Sequence, residues 1–342
     1  MLNADVTVDR RDFPVRVTLQ VADGERVALF GPSGAGKTTV LEAIAGLVPL
    51  GAGRVEVAGR VLASGDAPAT SLPPWRRRVG LLRQDPGLFP HLTVRDNLLY
   101  ARSARKEELA SLAASLGIDA LLGEMPARLS GGQRHRVALG RLLLAHCDVL
   151  LLDEPFASLD AALRRALTGL VADLTAERAI PSVLVTHQLA DAQAFAGRLA
   201  VIDRGQVLQQ GAPDEVVLRP ASRRVAELLG YLGFVPVAGR NAGGMVAGVH
   251  PDRVITGSHP ERGLAVTGAV TAARPSGAGW EADVLVEGAA VTCRLPGRPD
   301  GATLSLTILD PPCFGPGGQA LQSPANGDWT WHDFHVQSLD DY

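Results

Sequence analysis

Arg26-Val27-Ala28-Leu29-Phe30-Gly31-Pro32-Ser33-Gly34-Ala35-Gly36-Lys37-Thr38-Thr39 is the stretch whose reading decides the fold. Arg26–Phe30 is a short apolar strand, a glycine-rich loop follows, and Val40–Leu47 reads as a helix. Strand, glycine loop and helix in that order are the setting of a phosphate-binding loop. The glycines let successive backbone N–H groups turn inward, and the helix behind them adds the positive end of its dipole. Lys37 brings a point charge to terminal phosphates, and Thr38 offers a hydroxyl to Mg²⁺. Gly31, Pro32, Ser33, Gly34, Ala35, Gly36, Lys37, Thr38 and Thr39 therefore form the candidate nucleotide-phosphate set.

Outward from this loop, Val6 and Val8, and then Val15, Val17, Leu19 and Val21, alternate with polar residues as half-buried strands do. From Thr93 to Ala127 the pattern turns helical, with Thr93 a cap and Glu107–Leu116 closed by Gly117. A second α/β stretch follows: strand Val149–Leu152, helix Ala161–Glu177, strand Ser182–Thr186, a helix from Asp191 and a hairpin around Arg204-Gly205. Asp214–Leu218 and Ser222–Leu229 read as short helices. After about Gly230, glycine and proline become frequent and short alternating runs recur at Leu264–Val270, Glu281–Val286, Ala290–Leu295 and Thr303–Leu309. These indicate a small all-β module of barrel type. The tail from Gln322 is polar but carries Trp329, Trp331, Phe334 and Tyr342.

Asp153 and Glu154 end the apolar run Val149–Leu152. A carboxylate at the end of a buried parallel strand points into the crevice where ligands sit in such sheets. Asp153 is placed to hold Mg²⁺, mostly through water, and Glu154 to polarise an attacking water as general base. In Leu129-Ser130-Gly131-Gly132-Gln133 a serine opens a helix with glycine N–H groups behind it, which makes a second anion site.

Composition narrows the partners. A net charge of −3, from 33 basic and 36 acidic residues, gives no electrostatic footprint for nucleic acid or an anionic membrane surface. Aromatics at 4% argue against a surface that stacks bases or sugars. Cys147, Cys293 and Cys313 form no metal-ligand spacing, so a reduced, cytosolic chain is expected. The start, MLNADVTVDRR, has no apolar signal region. Leu142–Leu152 is interrupted by His146, Cys147 and Asp148, so no membrane crossing is expected.

The loop at Gly31–Thr38, L-S-G-G-Q at 129–133, L-L-L-D-E-P at 150–155, S-L-D at 158–160 and T-H at 186–187 occur together in one order. In this the chain resembles the ATPase subunit of an ABC transporter over roughly residues 1–232. The resemblance implies an α/β, P-loop NTPase cassette with an inserted helical subdomain (about 88–140), working as a head-to-tail homodimer or pseudo-dimer. Two ATP molecules would lie between one subunit's phosphate loop and the other's signature helix. It further implies that Gln84 is the lid glutamine sensing Mg²⁺ and water. Ser130, Gly131, Gly132 and Gln133 would act in trans on the partner's γ-phosphate. Asp160 would lie at the dimer seam, and His187 would contact the γ-phosphate near Glu154. Catalysis would thus rest on Glu154, His187 and Gln84, and Mg²⁺ on Thr38, Gln84 and Asp153. Two departures stand out. Phe13 is the one aromatic near the N-terminus that could stack on adenine, and its position before Val15–Val21 suits a core residue better. Arg83 replaces the apolar residue usual beside the lid glutamine.

Gln84–His91, Gly211-Ala212-Pro213-Asp214-Glu215 and Val249-His250-Pro251-Asp252-Arg253-Val254 resemble segments of bacterial importer ATPases. The last lies in a small all-β regulatory domain (OB-like, TOBE-type), expected at 233–320, with a tail at 321–342. The implied partners are integral-membrane permease subunits and, indirectly, an extracytoplasmic solute-binding protein, with no nucleic acid. The implied location is peripheral, on the cytoplasmic face of the membrane. Ala28-Leu29-Phe30, Gly59-Arg60-Val61-Leu62, Arg77-Arg78-Val79-Gly80 and Leu88-Phe89-Pro90-His91 look most like molybdate-importer ATPases. Sulfate, ferric-iron and polyamine importers are the rivals. A soluble ABC ATPase would be expected to carry a coiled coil or tandem cassettes, and a non-hydrolysing sensor to lack Glu154 or His187.

Overall fold

The structure, a computed structural model, describes residues 1–65, 69–101, 104–157, 159–238 and 244–321, together with the backbone of 335–336. The chain divides into two compact units, Met1–Pro213 and Asp214–Tyr342.

The first unit is built on an eleven-stranded sheet. Its strands are β1 (Leu2–Val8), β2 (Val15–Val21), β3 (Arg26–Phe30), β4 (Ala52–Val57), β5 (Arg60–Ser64), β6 (Thr70–Ser71), β7 (Val79–Leu82), β8 (Val149–Asp153), β9 (Ser182–Thr186), β10 (Arg198–Asp203) and β11 (Gln206–Gly211). They lie in the order β6-β5-β4-β1-β2-β11-β10-β3-β9-β8-β7. β7, β8, β9, β3 and β10 pair parallel. β8 and β9 are buried at every position, as befits parallel strands covered on both faces. β1 and β2 instead alternate and pair antiparallel from Leu2 opposite Val21 to Val8 opposite Val15. Val6, Val17, Leu29, Ile44, Leu151 and Ile202 belong to the core beneath.

The helices of this unit are α1 (Lys37–Ala45), α2 (Val94–Leu98), α3 (Leu109–Ser115), α4 (Gly131–Leu144), α5 (Ala161–Glu177) and α6 (Leu189–Phe195). α1 starts at Lys37, ahead of the expected Val40, because left-handed Gly36 (φ 101°) turns the chain straight into the helix. At its other end buried Arg77 donates to the carbonyls of Ala43 (3.0 Å) and Ile44 (2.8 Å). A guanidinium there gives the last carbonyls of the helix a donor, beyond the Gly46 amide that also meets Ala43, and suits the negative end of its dipole. α2, α3 and α4 form the helical insertion between β7 and β8, with Thr93 capping α2 by accepting from the Asp96 amide.

The second unit opens with α7 (Pro213–Leu218) and α8 (Arg223–Leu228), then β12 (Phe234–Ala238), β13 (Val246–Gly248), β14 (Val254–Thr256), β15 (Gly263–Ser276), β16 (Gly279–Val286), β17 (Ala289–Leu295), β18 (Thr303–Leu309), β19 (Cys313–Phe314), β20 (Ala320–Leu321) and β21 (His335–Val336). Two five-stranded sheets result, β20-β19-β13-β12-β21 and β14-β18-β15-β16-β17, around a second core that includes Val237, Val249, Leu264, Val284 and Leu306. Composition changes near Gly230, whereas the units divide at Pro213. The two short helices contact the β part of their unit: the Arg223 amide donates to the Gly318 carbonyl and the Ala320 amide to the Ala221 carbonyl, and the buried Tyr231 hydroxyl donates to the Val217 carbonyl at 2.8 Å. Of the tail, the backbone of His335–Val336 pairs with β12. Trp329, Trp331, Phe334 and Tyr342 lie outside the described residues.

Candidate functional site

The site assembles at the C-terminal ends of β7, β8, β9 and β3, which are neighbours in the sheet. The phosphate loop leaves β3. Gly31 is required there because a Cβ would meet the Ile202 carbonyl oxygen at 2.1 Å. Gly34 and Gly36 adopt φ of 81° and 101°, which a side chain would strain. Lys37, 6% exposed, folds back into this loop and donates to the carbonyls of Gly31 and Pro32, each at 2.8 Å. Burial holds its ammonium below the usual lysine range, against the pull of Glu154 and Asp153. The Thr39 hydroxyl accepts a hydrogen bond from Arg10, a contact the sequence reading did not anticipate.

From β8, the Asp153 carboxylate accepts from the Thr38 hydroxyl at 2.9 Å. Burial pushes this carboxyl up from the usual range, with the Thr38 hydrogen bond opposing. A hydroxyl and a carboxylate side by side are the hard-oxygen donors Mg²⁺ takes alongside substrate phosphates, so the residues present fit that ion. Among the described residues no group of three or more His, Cys, Asp and Glu could hold a metal by itself. Glu154 follows with φ of 49°, a conformation uncommon outside glycine and a form of strain found at functional sites. Its amide is anchored on the Val185 carbonyl at 2.9 Å. Its carboxylate lies 2.9 Å from His187 Nδ1, which comes off the end of β9. Glu154, Thr186, His187 and Asp191 line one crevice. Arg164 braces its rim by donating to the Phe156 and Leu159 carbonyls and to the Gln188 side chain.

Gln84 stands exposed two residues beyond the end of β7. Arg83 beside it pairs with Glu42 of α1 at 3.1 Å, which accounts for a charged residue at that place. Phe13 is partly buried against the first core, consistent with a packing role. At the start of α4, Ser130 and Gln133 form a capping box. The Ser130 hydroxyl accepts from the Gln133 amide at 3.3 Å, and the Gln133 side chain accepts from the Ser130 amide at 2.7 Å. Their side chains are thus used on each other, while Thr38–Asp153 and Glu154–His187 form a separate group. Asp160 caps α5, accepting from the Ala162 and Leu163 amides at 3.1 and 3.0 Å. Those amides, Leu163 first, hold its carboxyl below the usual range.

The chain is similar to known proteins. The ABC transporter family matches residues 15–157. The thiamine import ATP-binding protein of Salmonella paratyphi A is 40% identical over 238 residues, covering 68% of this chain and 97% of that protein. The chain belongs to the import-type ATP-binding subunits of ABC transporters, which are ATPases. Two relatives from Mesorhizobium japonicum are similar over 227 and 229 residues. Its Fe(3+) ions import ATP-binding protein is 42% identical over 65% of this chain, and its molybdenum import ATP-binding protein is 43% identical over 66%. The match spans 62% and 61% of the lengths of these two relatives. A solved dimer of the ATP-binding cassette MJ0796, in a post-hydrolysis state bound to ADP and Pi, is 28% identical with a TM-score of 0.52. It covers 62% of this chain and 99% of that one. Among the described residues no helix of this ABC subunit is long and apolar enough to cross a membrane.

Proposed function

We propose that this subunit binds ATP on the Gly31–Thr39 loop and hydrolyses it in a head-to-tail pair of cassettes, driving import through membrane permease subunits. The observation that carries this is the adjacency of two short pairs, Thr38 with Asp153 and Glu154 with His187, at the ends of neighbouring strands. Backbone amides of the loop and the N-terminus of α1 receive the phosphates, and Lys37 supplies charge to the terminal ones. Thr38, Asp153 and Gln84 would hold Mg²⁺, which would supply positive charge to the phosphate oxygens. Glu154 accepts a proton from the attacking water. His187 holds the Glu154 carboxylate in place and faces the γ-phosphate, and Gln84 orients the water. Ser130 to Gln133 close the site from the partner subunit, with Asp160 at the seam. The dimeric MJ0796 cassette, to which 62% of this chain is similar, supports the paired arrangement.

The subunit then sits peripherally on the cytoplasmic face of the membrane, with an extracytoplasmic binding protein delivering solute to the permease. Molybdate or a related oxyanion is the solute we favour, on the segments Gly59–Leu62, Arg77–Gly80 and Leu88–His91 and the molybdenum-import relative. Ferric iron is the second reading, on the iron-import relative. Transport assays on the reconstituted complex decide between them. Uptake and ATP turnover that respond to molybdate and tungstate, and not to ferric iron, sulfate or thiamine, are expected. A response confined to ferric iron would replace the solute while leaving the ATPase reading intact.

A further inference from the structure

α4 reaches the lid of its own chain through a side chain that the proposed chemistry does not use. His135 stands four residues after Gly131, one turn along the same face of the helix. Its Nδ1 lies 3.1 Å from the Gly131 carbonyl oxygen and its Nε2 lies 2.8 Å from the Gln84 carbonyl oxygen. A carbonyl only accepts, so a ring with one proton donates to one of the two; the shorter contact assigns that proton to Nε2, towards Gln84, and the Nδ1 approach to Gly131 is then a contact without a hydrogen bond. Farther along α4, Arg141 donates to the carbonyls of Pro86 (3.2 Å) and Gly87 (3.1 Å). Its guanidinium also stands 5.2 Å from the centre of the Phe89 ring. The helix thus holds the lid by main-chain oxygens at two points, and leaves the Gln84 side chain exposed.

We propose that His135 is a positioning residue that ties the main chain of Gln84 to the turn at Ser130–Gly131. This rests on the roles given above to Gln84 and Ser130. The two ends of the tether then serve different nucleotides: Gln84 faces the ATP on its own phosphate loop, and Ser130 faces the ATP held by the partner. Seating the signature turn on one nucleotide sets the lid glutamine over the other through one imidazole. The consequence falls on turnover and not on affinity, because neither end of the tether belongs to the loop that receives the phosphates.

The test compares full-length His135→Ala and His135→Gln with the unmodified chain. A glutamine amide can donate to the same carbonyl; a methyl group cannot. His135→Ala is expected to lose roughly tenfold in kcat for MgATP with KM within about twofold, since a misplaced catalytic group costs rate. His135→Gln is expected to keep most of the rate. Hydrogen exchange of the amides at 84–89 should quicken in His135→Ala and stay near the unmodified rate in His135→Gln. Unchanged kcat and unchanged lid exchange in His135→Ala would overturn the proposal. Equal losses in both variants with a lowered Tm would overturn it too, by assigning the effect to packing. If the unmodified chain does not hydrolyse MgATP, the functional reading fails, and lid exchange still decides whether the tether exists.

Discussion

The two units treat their charges in opposite ways. In the first, Lys37, Asp153, Glu154 and His187 converge at the ends of adjacent parallel strands, and Lys37 and Asp153 are each only 6% exposed. Burial drives both of those groups towards their neutral forms, an electrostatic cost that packing alone would not retain. In the second unit charges are answered locally and in the open. Arg274 pairs with Asp283 and Glu281 across the β15–β16 hairpin, Arg294 pairs with Asp252, and Arg298 lies over the Trp280 ring. A cleft of about 360 Å³ there is lined by Asp252, Trp280 and Arg294, whose charges already meet each other. Exposed pairs of this kind are screened by solvent and add little to stability. Convergent, buried and strained groups mark chemistry; locally matched ones mark a scaffold.

The largest break in this comparison should come from Glu154→Gln. It should still bind ATP but lose about 10²–10⁴-fold in turnover, the usual worth of a positioned base, and collect as an ATP-bound dimer on size exclusion. Near-normal turnover would remove Glu154 from the mechanism. Asp153→Asn sharpens the contrast through stability. A carboxyl whose folded pKa is raised contributes stability below its ordinary value of 3.8, and that contribution is lost as pH rises through the folded pKa. The variant should therefore be no less stable than the unmodified chain at neutral pH without nucleotide, and should show less loss of stability as pH rises from 3.8. It should also lose the Tm rise given by MgATP. Denaturation midpoints across pH, with and without MgATP, check both parts.

In the second unit the expected effects are structural and smaller. Tyr231→Phe leaves the Val217 carbonyl without its donor and should cost about 1 kcal/mol in denaturant unfolding, with MgATP turnover unchanged. Smallest of all is the response to thiol reagents. Burial pushes Cys147 of the first unit and Cys293 of the second up to about 11, and Cys313 to about 12, so all three thiols should stay unreactive near pH 7.5 until the chain unfolds. Rapid labelling of the folded chain would contradict this.

Much of the first unit could be read from residue order. Arg26–Phe30 and Ser182–Thr186 are strands as expected, because unbroken apolar runs between polar turns admit little else. Thr93 and Ser130 cap helices through side-chain chemistry that is local and therefore visible. What escaped the sequence are side chains that answer main-chain oxygens far along the chain. Arg77 on the end of α1 and His135 on the Gln84 carbonyl carry no signature in type or spacing, since their partners are fixed by where loops return. Gly131 to His135 at four residues was the one available hint. In the second unit β15 runs on to Ser276 through a bulge at Val270–Ala272, past the expected end at Val270. Cross-strand pairing of Arg274 extends it, and a one-strand pattern cannot show that. The division at Pro213 was hidden for the same reason, because the two short helices meet the rest of their unit through contacts distant in sequence, such as Tyr231 on the Val217 carbonyl and the Arg223 amide on the Gly318 carbonyl.

The central claim, that each nucleotide site is shared between two chains, is tested most directly by complementation. Ser130→Arg should leave ATP binding nearly intact while abolishing turnover, because its own phosphate loop is untouched. Lys37→Ala removes the loop's charge and leaves the signature turn intact. Mixed together, the two inactive variants should regain MgATP hydrolysis, since each heterodimer pairs one intact phosphate loop with one intact signature turn. A mixture that forms heterodimers and remains inactive would contradict the shared site.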